Sequence, residues 1–298
     1  MKRAVSISLG SSSRDKRVII NFKGTDIVVE RIGTDGDIEK ARQLFHELDG
    51  KIDAFGVGGV DMYLRLEGRE YPLRAVLKML QGVHQTPLVD GRGLKHTLER
   101  RVFELAQPEI ENLPHFRQAF IPVAIDRLGL AQAVEQVSDK IVFGDLMVAL
   151  GVPVPVWGMS SFKRVARLML PFVSYFPMQM IFYGSDGIEH QPRYGRYFNE
   201  SDLIAGDYLF MRKHMPQNMN GKTIVTNTTT EDNINSLGKR GVRMVITTTP
   251  RYEGRSFGTN MMEAALTAYA GKNRPLTDDE LNSLIDELDL RPSVQILN

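Results

Sequence analysis

FIPVAI (120–125), KIVF (140–143), MQMIFY (178–183), LIA (203–205), TIV (223–225) and MVIT (244–247) are short apolar runs separated by helix-like segments. Parallel strands buried on both faces read as continuous apolar runs, and each needs a crossover long enough to bring the chain back alongside. Six such runs between Ala119 and Pro250 predict a Rossmann-like, doubly wound parallel sheet.

Working outward, Ala4–Leu9, Arg17–Phe22 and Ile27–Arg31 read as an antiparallel meander, followed by a helix capped at Asp37 and ending at Leu48. Ala54–Val57 and Pro87–Val89 read as further strands, with helices over Pro72–Leu80 and Leu94–Leu105. Pro108 and Pro114 mark Gln107–Gln118 as a connection, so residues 1–110 are expected to form an α/β substrate lobe and 111–298 a dinucleotide domain. Helices over Gly258–Gly271 and Thr277–Leu288, the second opened by a Thr277/Glu280 capping box, are expected to return to the cleft.

A length of 298 residues suits two medium domains or one large barrel. With 24% charged residues and a net charge of +1, nothing points to nucleic acid or a membrane surface, and a small-molecule substrate is the expected partner. Self-association is left open. Absence of cysteine removes disulfides and thiolate chemistry, and the six histidines form no ligand spacing, so no metal is expected. The N-terminus MKRAVSISLG passes straight into a strand, which suggests a cytoplasmic protein.

The first turn of the sheet, AIDRLGLAQAV (124–134), is where a dinucleotide would sit. Of the G-x-G-x-x-G pattern only Gly129 is present, beside Asp126 and Arg127. Asp145, some twenty residues on, stands where an acid bonds the ribose hydroxyls of NAD, so NAD is favoured over NADP. Asp126 and Asp145 read equally well as helix caps. Strand ends TNTTT (226–230) and TTTPR (247–251) add Thr226, Asn227 and Thr248 to the candidate cofactor site. For a substrate carboxylate, Arg255, with Arg92 in reserve, offers a bidentate partner, and Asn260 lies close to Arg255 in sequence. The glycine-rich strand ends GVGGVD (56–61) and VDGRGLK (89–95) would let a ligand touch backbone, with Lys95, in the first turn of its helix, and Asp61 or Asp90 relaying a proton.

Stretches such as IGTDGD, GVGGVDMYL, TPLVDGRGLK, VFGDLMVALG, GKTIVTNTTT and TTTPRYEGRSFGTNMMEA resemble bacterial proteins labelled quinate 5-dehydrogenase, and the lobe order resembles the shikimate and quinate dehydrogenases. The resemblance implies NAD or NADP and oxidation of a secondary alcohol on a cyclic hydroxy acid. The N-V-T-x-P-x-K and G-A-G-G-A motifs of shikimate dehydrogenases do not occur, so no catalytic residue of theirs is carried over. Two other classes fit the pattern. Eight strand–helix units would suit a β/α barrel without dinucleotide, and a non-catalytic binding protein could keep the scaffold alone.

Overall fold

The computed structural model describes residues 1–110, 113–182, 192–252 and 255–298, with only the backbone of Arg255. The chain forms two compact α/β units, each built on its own mixed sheet with parallel strands. Two open sheets replace the eight-stranded barrel that the strand count allowed.

The first unit comprises residues 1–94, 169–188 and 258–289, as far as these are described. Its sheet contains β1 (Lys2–Ser8), β2 (Lys16–Phe22), β3 (Thr25–Gly33), β4 (Ala54–Gly58) and β7 (Leu88–Val89), in the order β2-β3-β1-β4-β7. The expected meander is only half formed: β2 and β3 are an antiparallel hairpin, but β3 pairs in parallel with β1. The burial patterns explain this. Residues Ala4 to Ser8 of β1 are all buried, which suits a central strand, whereas β2 alternates and leaves one face to solvent, which suits an edge. A hairpin of β5 (Tyr63–Leu66) and β6 (Arg69–Pro72) turns tightly at Glu67–Gly68, both with positive φ. The helix expected from Pro72 is correspondingly shorter, Arg74–Met79.

Helix Thr259–Ala270 covers this sheet and is buried along most of its length. Its approach accounts for the glycine-rich strand ends. A Cβ on Gly56 would lie 2.9 Å from the Asn260 carbonyl oxygen, and one on Gly91 would lie 2.6 Å from the Asn260 nitrogen. The glycines read as ligand contacts are thus sites of close helix packing. Helix Asp278–Glu287 follows, with the expected capping box at Thr277 and Glu280.

The second unit comprises 95–168, 189–257 and 290–298, again as far as described. Residues 95–110 thus belong with this sheet and 258–289 with the first, so the boundary expected near residue 110 lies at 94/95. The strands are β8 (Phe116–Ile121), β9 (Ser138–Phe143), β10 (Val156–Trp157), β11 (Leu203–Ala205), β12 (Thr223–Thr226), β13 (Met244–Thr247) and β16 (Ser293–Ile296). They are ordered β10-β9-β8-β11-β12-β13-β16; a short hairpin pairs β14 (Arg251–Tyr252) with β15 (Arg255–Ser256). Strands β9, β8, β11, β12 and β13 run parallel, with β10 and β16 antiparallel at the two edges. Of the six expected strands, five form. Met178–Ile181 is instead a helical turn whose apolar residues mimic a buried strand, and Tyr183 lies outside the described residues. Phe120, Val142, Ile204, Ile224 and Val245 carry the core on one face of the sheet.

Strand order reverses between β8 and β11. Helix Leu128–Gln136 leaves β8 at this point and packs against the 3-10 turn Glu99–Arg101. Gly129 permits that contact, since a Cβ there would sit inside the Lys95 carbonyl oxygen, a backbone atom that cannot swing away. Alanine is favoured over glycine inside a helix by about 1 kcal/mol, but overpacking costs about 1–3 kcal/mol. Gly129→Ala is therefore expected to lower the unfolding free energy by up to about 2 kcal/mol in urea titrations. Gly238→Ala, in helix Glu231–Lys239 with its nearest neighbour 4.0 Å away, should be neutral or stabilising. Equal effects of the two substitutions would refute the packing role of Gly129.

Candidate functional site

Open α/β sheets bind ligands beyond the carboxyl ends of their strands, at the point where strand order reverses. In the second unit those ends lead into Asp126–Arg127 after β8, Asp207 after β11, Asn227 after β12 and Thr248 after β13. The structure gathers these residues around one guanidinium. Arg127 donates to Glu99 Oε1 and, at 3.3 Å, to Asp207 Oδ2, and its Nε lies 3.6 Å from Asp126 Oδ2. Lys95 Nζ reaches the same Asp126 oxygen at 3.3 Å. Thr248 Oγ1 donates to Glu99 Oε1 at 3.3 Å, and Asn227 Nδ2 to Asp207 Oδ2 at 3.1 Å. Asp207 also caps helix Tyr208–His214 through Leu209 N.

Burial grades across the cluster. The Glu99 side chain is 0% exposed, Arg127 5% and Lys95 7%, while Asp126 and Asp207 reach the surface at 19% and 22%. Burial pushes the Glu99 carboxyl above its ordinary range, more than Arg127 and Lys95 pull it down. Burial acts on Asp126 in the same direction, but Lys95 and Arg127 outweigh it and hold that carboxyl below its ordinary range. Two neighbouring carboxyls are thus driven apart in proton affinity, the arrangement that assigns an acid and a base. Glu99 Oε2 and Asn227 Oδ1 are buried without a hydrogen-bond partner.

The first turn does not fit a dinucleotide in its usual seat. The amides of Ala124 and Ile125, placed where a glycine-rich turn would face a pyrophosphate, both donate to Asp145 Oδ1 at 2.9 Å. Gly129 is spent on packing against Lys95, and the helix start is buried at Leu128 to Ala131. Asp145 is not the helix cap either, because the turn starts on Asp145 with Gly144 at the cap, and Arg127 rather than Asp126 precedes the Leu128 helix. Burial raises the Asp145 carboxyl to about 7 despite those two amides. Its Oδ2 is buried without a hydrogen-bond partner. Thr226 Oγ1 is likewise buried without one.

Of the remaining candidates, Asp61, Asp90, Arg92 and Asn260 lie in the first unit, and Lys95 and Arg255 in the second. Asp90 Oδ2 accepts from Met62 N at 2.7 Å and its Oδ1 from Arg92 N at 3.1 Å, so it holds two loops together. Lys95, expected in the first turn of its helix beside Asp61 or Asp90, falls in the last turn of Arg92–His96 and pairs with Asp126. Asp61 follows β4 in a half-buried position. Arg92 stacks on the Tyr63 ring at 4.8 Å and faces Glu70 at 3.3 Å, so its charge is already matched. Asn260 Nδ2 donates to Ser6 Oγ at 2.6 Å, tying its helix to β1. The side chain of Arg255 lies outside the described residues. Glu263 accepts from Leu94 N, and burial pushes its carboxyl up to about 8, helped by Asp90. Among the described residues no group of three or more acids or histidines could hold a metal, and no helix is long and apolar enough to cross a membrane.

Glu99 and Asp207 are absent from the sequence-based site. Glu99 follows Lys95 by four residues, a spacing that reads as a solvated helix pair. Asp207 had a usable signal: LIAGD (203–207) repeats the strand–Gly–Asp ending of IVFGD (141–145).

Residues 93–297 match the family described as Domain of unknown function (DUF8754), and the chain belongs to it; residues 3–90 match Domain of unknown function (DUF8753). No curated protein matches the sequence. Among solved structures the chain is similar to a malic enzyme from Entamoeba histolytica, at 11% identity over 93% of this chain and 60% of that one, with a TM-score of 0.40. It is also similar to a solute binding protein of an ABC transporter from Burkholderia multivorans, at 12% identity over 100% of both chains, with a TM-score of 0.39. A third is GanP, a glucose-galactose binding protein from Geobacillus stearothermophilus, at 9% identity over 99% and 97%, with a TM-score of 0.37. Likenesses of this size carry no argument about function.

Raised carboxyls make stability depend on pH in a defined sense. The folded state holds protons at Asp145 and Glu263 up to about 7 and about 8, against ordinary values of 3.8 and 4.5. Their contribution is complete below the ordinary values and is lost as pH rises through the folded ones. Unfolding free energy should therefore fall between about pH 5 and 8. Asp145→Asn and Glu263→Gln should each flatten that fall, gaining on the order of a few kcal/mol over the parent at the alkaline end and little at pH 4. Urea titrations across the range check this, and parallel parent and variant curves would contradict it.

Proposed function

We propose that the second unit carries an acid–base site for a small polar molecule where its strand order reverses, with Glu99 as the proton-bearing carboxyl and Asp126 as the ionised one. One observation carries the reading: both carboxyls sit on the Arg127 guanidinium, yet burial and ion pairing drive their proton affinities in opposite directions. Asp126 and Asp207, the partly exposed members, are the groups a ligand meets first, and Glu99 lies behind them.

A second reading is favoured by topology. Numbered within the second sheet, the strands run 3-2-1-4-5-6 before the last edge strand, which is the order of dinucleotide-binding sheets. With the resemblance to quinate and shikimate dehydrogenases, this supports an NAD- or NADP-dependent oxidoreductase acting on a secondary alcohol of a small hydroxy acid. Against it stands the first turn, whose amides are taken by Asp145.

Thermal unfolding with NAD, NADH, NADP and NADPH separates the readings. A ligand at a hundredfold excess over its Kd adds about 2.7 kcal/mol. None of the four is expected to raise Tm, and a shift with any of them would establish the dehydrogenase reading instead. For the site itself, ligand-observed NMR on mixtures of small polar metabolites should give binders that Asp126→Asn and Asp207→Asn weaken at least about tenfold, a loss of roughly 1.4 kcal/mol. Calorimetry in buffers of different ionisation enthalpy should then show proton exchange on binding, abolished in Glu99→Gln. Binders indifferent to both aspartate substitutions would place the site elsewhere.

A further inference from the structure

The net charge of +1 conceals a local imbalance. Between Asp145 and Asp186 the sequence has no acidic residue, while Lys163, Arg164 and Arg167 stand in that stretch. Exposed apolar groups concentrate there as well. Among the described residues ten large apolar side chains are exposed, and seven of them fall between Val152 and Met180. Apolar residues scattered singly over a surface are ordinary, but a concentration of them marks a surface that something else covers.

The part of this stretch that belongs to the second unit is a loop, an edge strand and a helix in succession. The loop GVPVP (151–155) leaves Val152 and Val154 exposed. Strand β10 then buries Val156 and turns Trp157 outward, as alternation along a strand requires. Trp157 is 46% exposed, with its ring meeting Tyr197 edge-on. Helix Met159–Val173 starts two residues later and buries Met159, Phe162 and Ala166, which share one face. The opposite face carries Arg164 and, one turn on, Leu168, which is 69% exposed; Arg167 is exposed beside them.

An occupant of this surface must offer negative charge and an apolar layer together. A second copy of the chain would supply the apolar part, but it would set Arg164 and Arg167 against their own equivalents, with no acid in the segment to answer them. A bilayer with anionic headgroups supplies both. Its phosphates match guanidinium groups whose stems lie along apolar surface, and tryptophan settles at the boundary between headgroups and acyl chains.

We infer that the second unit docks on an anionic lipid surface through Val152, Val154, Trp157 and Leu168, with Arg164 and Arg167 meeting the headgroups. The inference is independent of the site around Arg127.

Trp157 is the only tryptophan of the chain, so its fluorescence reports this surface alone. The intact chain would be titrated with vesicles of phosphatidylcholine alone and with about a third phosphatidylglycerol, at low salt and at about 0.5 M sodium chloride. The expected result is that anionic vesicles move the Trp157 emission to shorter wavelength and carry the protein down on sedimentation. Neutral vesicles should do neither, and added salt should release the protein. Arg164→Gln combined with Arg167→Gln should weaken binding at least about tenfold, and Leu168→Ser at least about fivefold. The substituted side chains are exposed, and circular dichroism confirms that the variants fold. Absence of binding to anionic vesicles, equal binding to neutral ones, or binding unchanged in the variants overturns the inference. So does a dimer, detected by light scattering, that Leu168→Ser dissociates, because the surface would then belong to a second copy.

Discussion

One guanidinium organises the second unit. Arg127 stands in the turn between β8 and the Leu128–Gln136 helix, a turn that in related topologies is left open for a ligand, and here it collects Glu99, Asp126 and Asp207 from three separate segments. A buried arginine requires matched carboxylates, because an unmatched charge in a site only 5% exposed is far costlier than any packing gained. That requirement fixes where the Glu99 segment lies, which in turn demands Gly129 at the helix facing it. It also fixes the start of helix Tyr208–His214, since Asp207 serves the guanidinium and the helix cap at once. Packing, capping and electrostatics of this end of the sheet follow from one side chain.

Periodicity made much of the fold legible. Continuous apolar runs located β8, β9, β11, β12 and β13, and local capping chemistry located the helices at Ile38 and Asp278. What failed did so for physical reasons. Met178–Ile181 is apolar and short, and apolar content alone does not distinguish a strand from a helical turn. The edge strands β10 and β16 are too short or too exposed to stand out. Pairing of β1 with β3 rather than β2 depends on which strand is buried on both faces, a property of the assembled sheet.

The candidate site was less legible. Asp126, Arg127, Asn227, Thr248 and Lys95 were singled out and do converge, but for ion pairing with Glu99 and Asp207, neither of which carried a motif. Asp90, Arg92 and Asn260 were singled out by the same reasoning and serve loops and helix packing. Glycine-rich strand ends are ambiguous in one dimension. A missing Cβ admits a ligand and a helix equally well, and only the helix Thr259–Ala270, two hundred residues away in sequence from Gly56, resolves the matter.

That helix has a consequence for how the chain is made. It supplies the lid of a sheet whose strands all precede residue 90, yet it lies beyond residue 258, after nearly the whole second sheet has been synthesised. During translation the apolar face of β1, β3 and β4 must therefore wait uncovered while some hundred and seventy residues emerge, about ten to thirty seconds at ordinary elongation rates. The two sheets are consecutive in the gene but not in folding time. The first to be written is among the last to be closed, and the growing chain presents to chaperones an unfinished sheet rather than a finished domain.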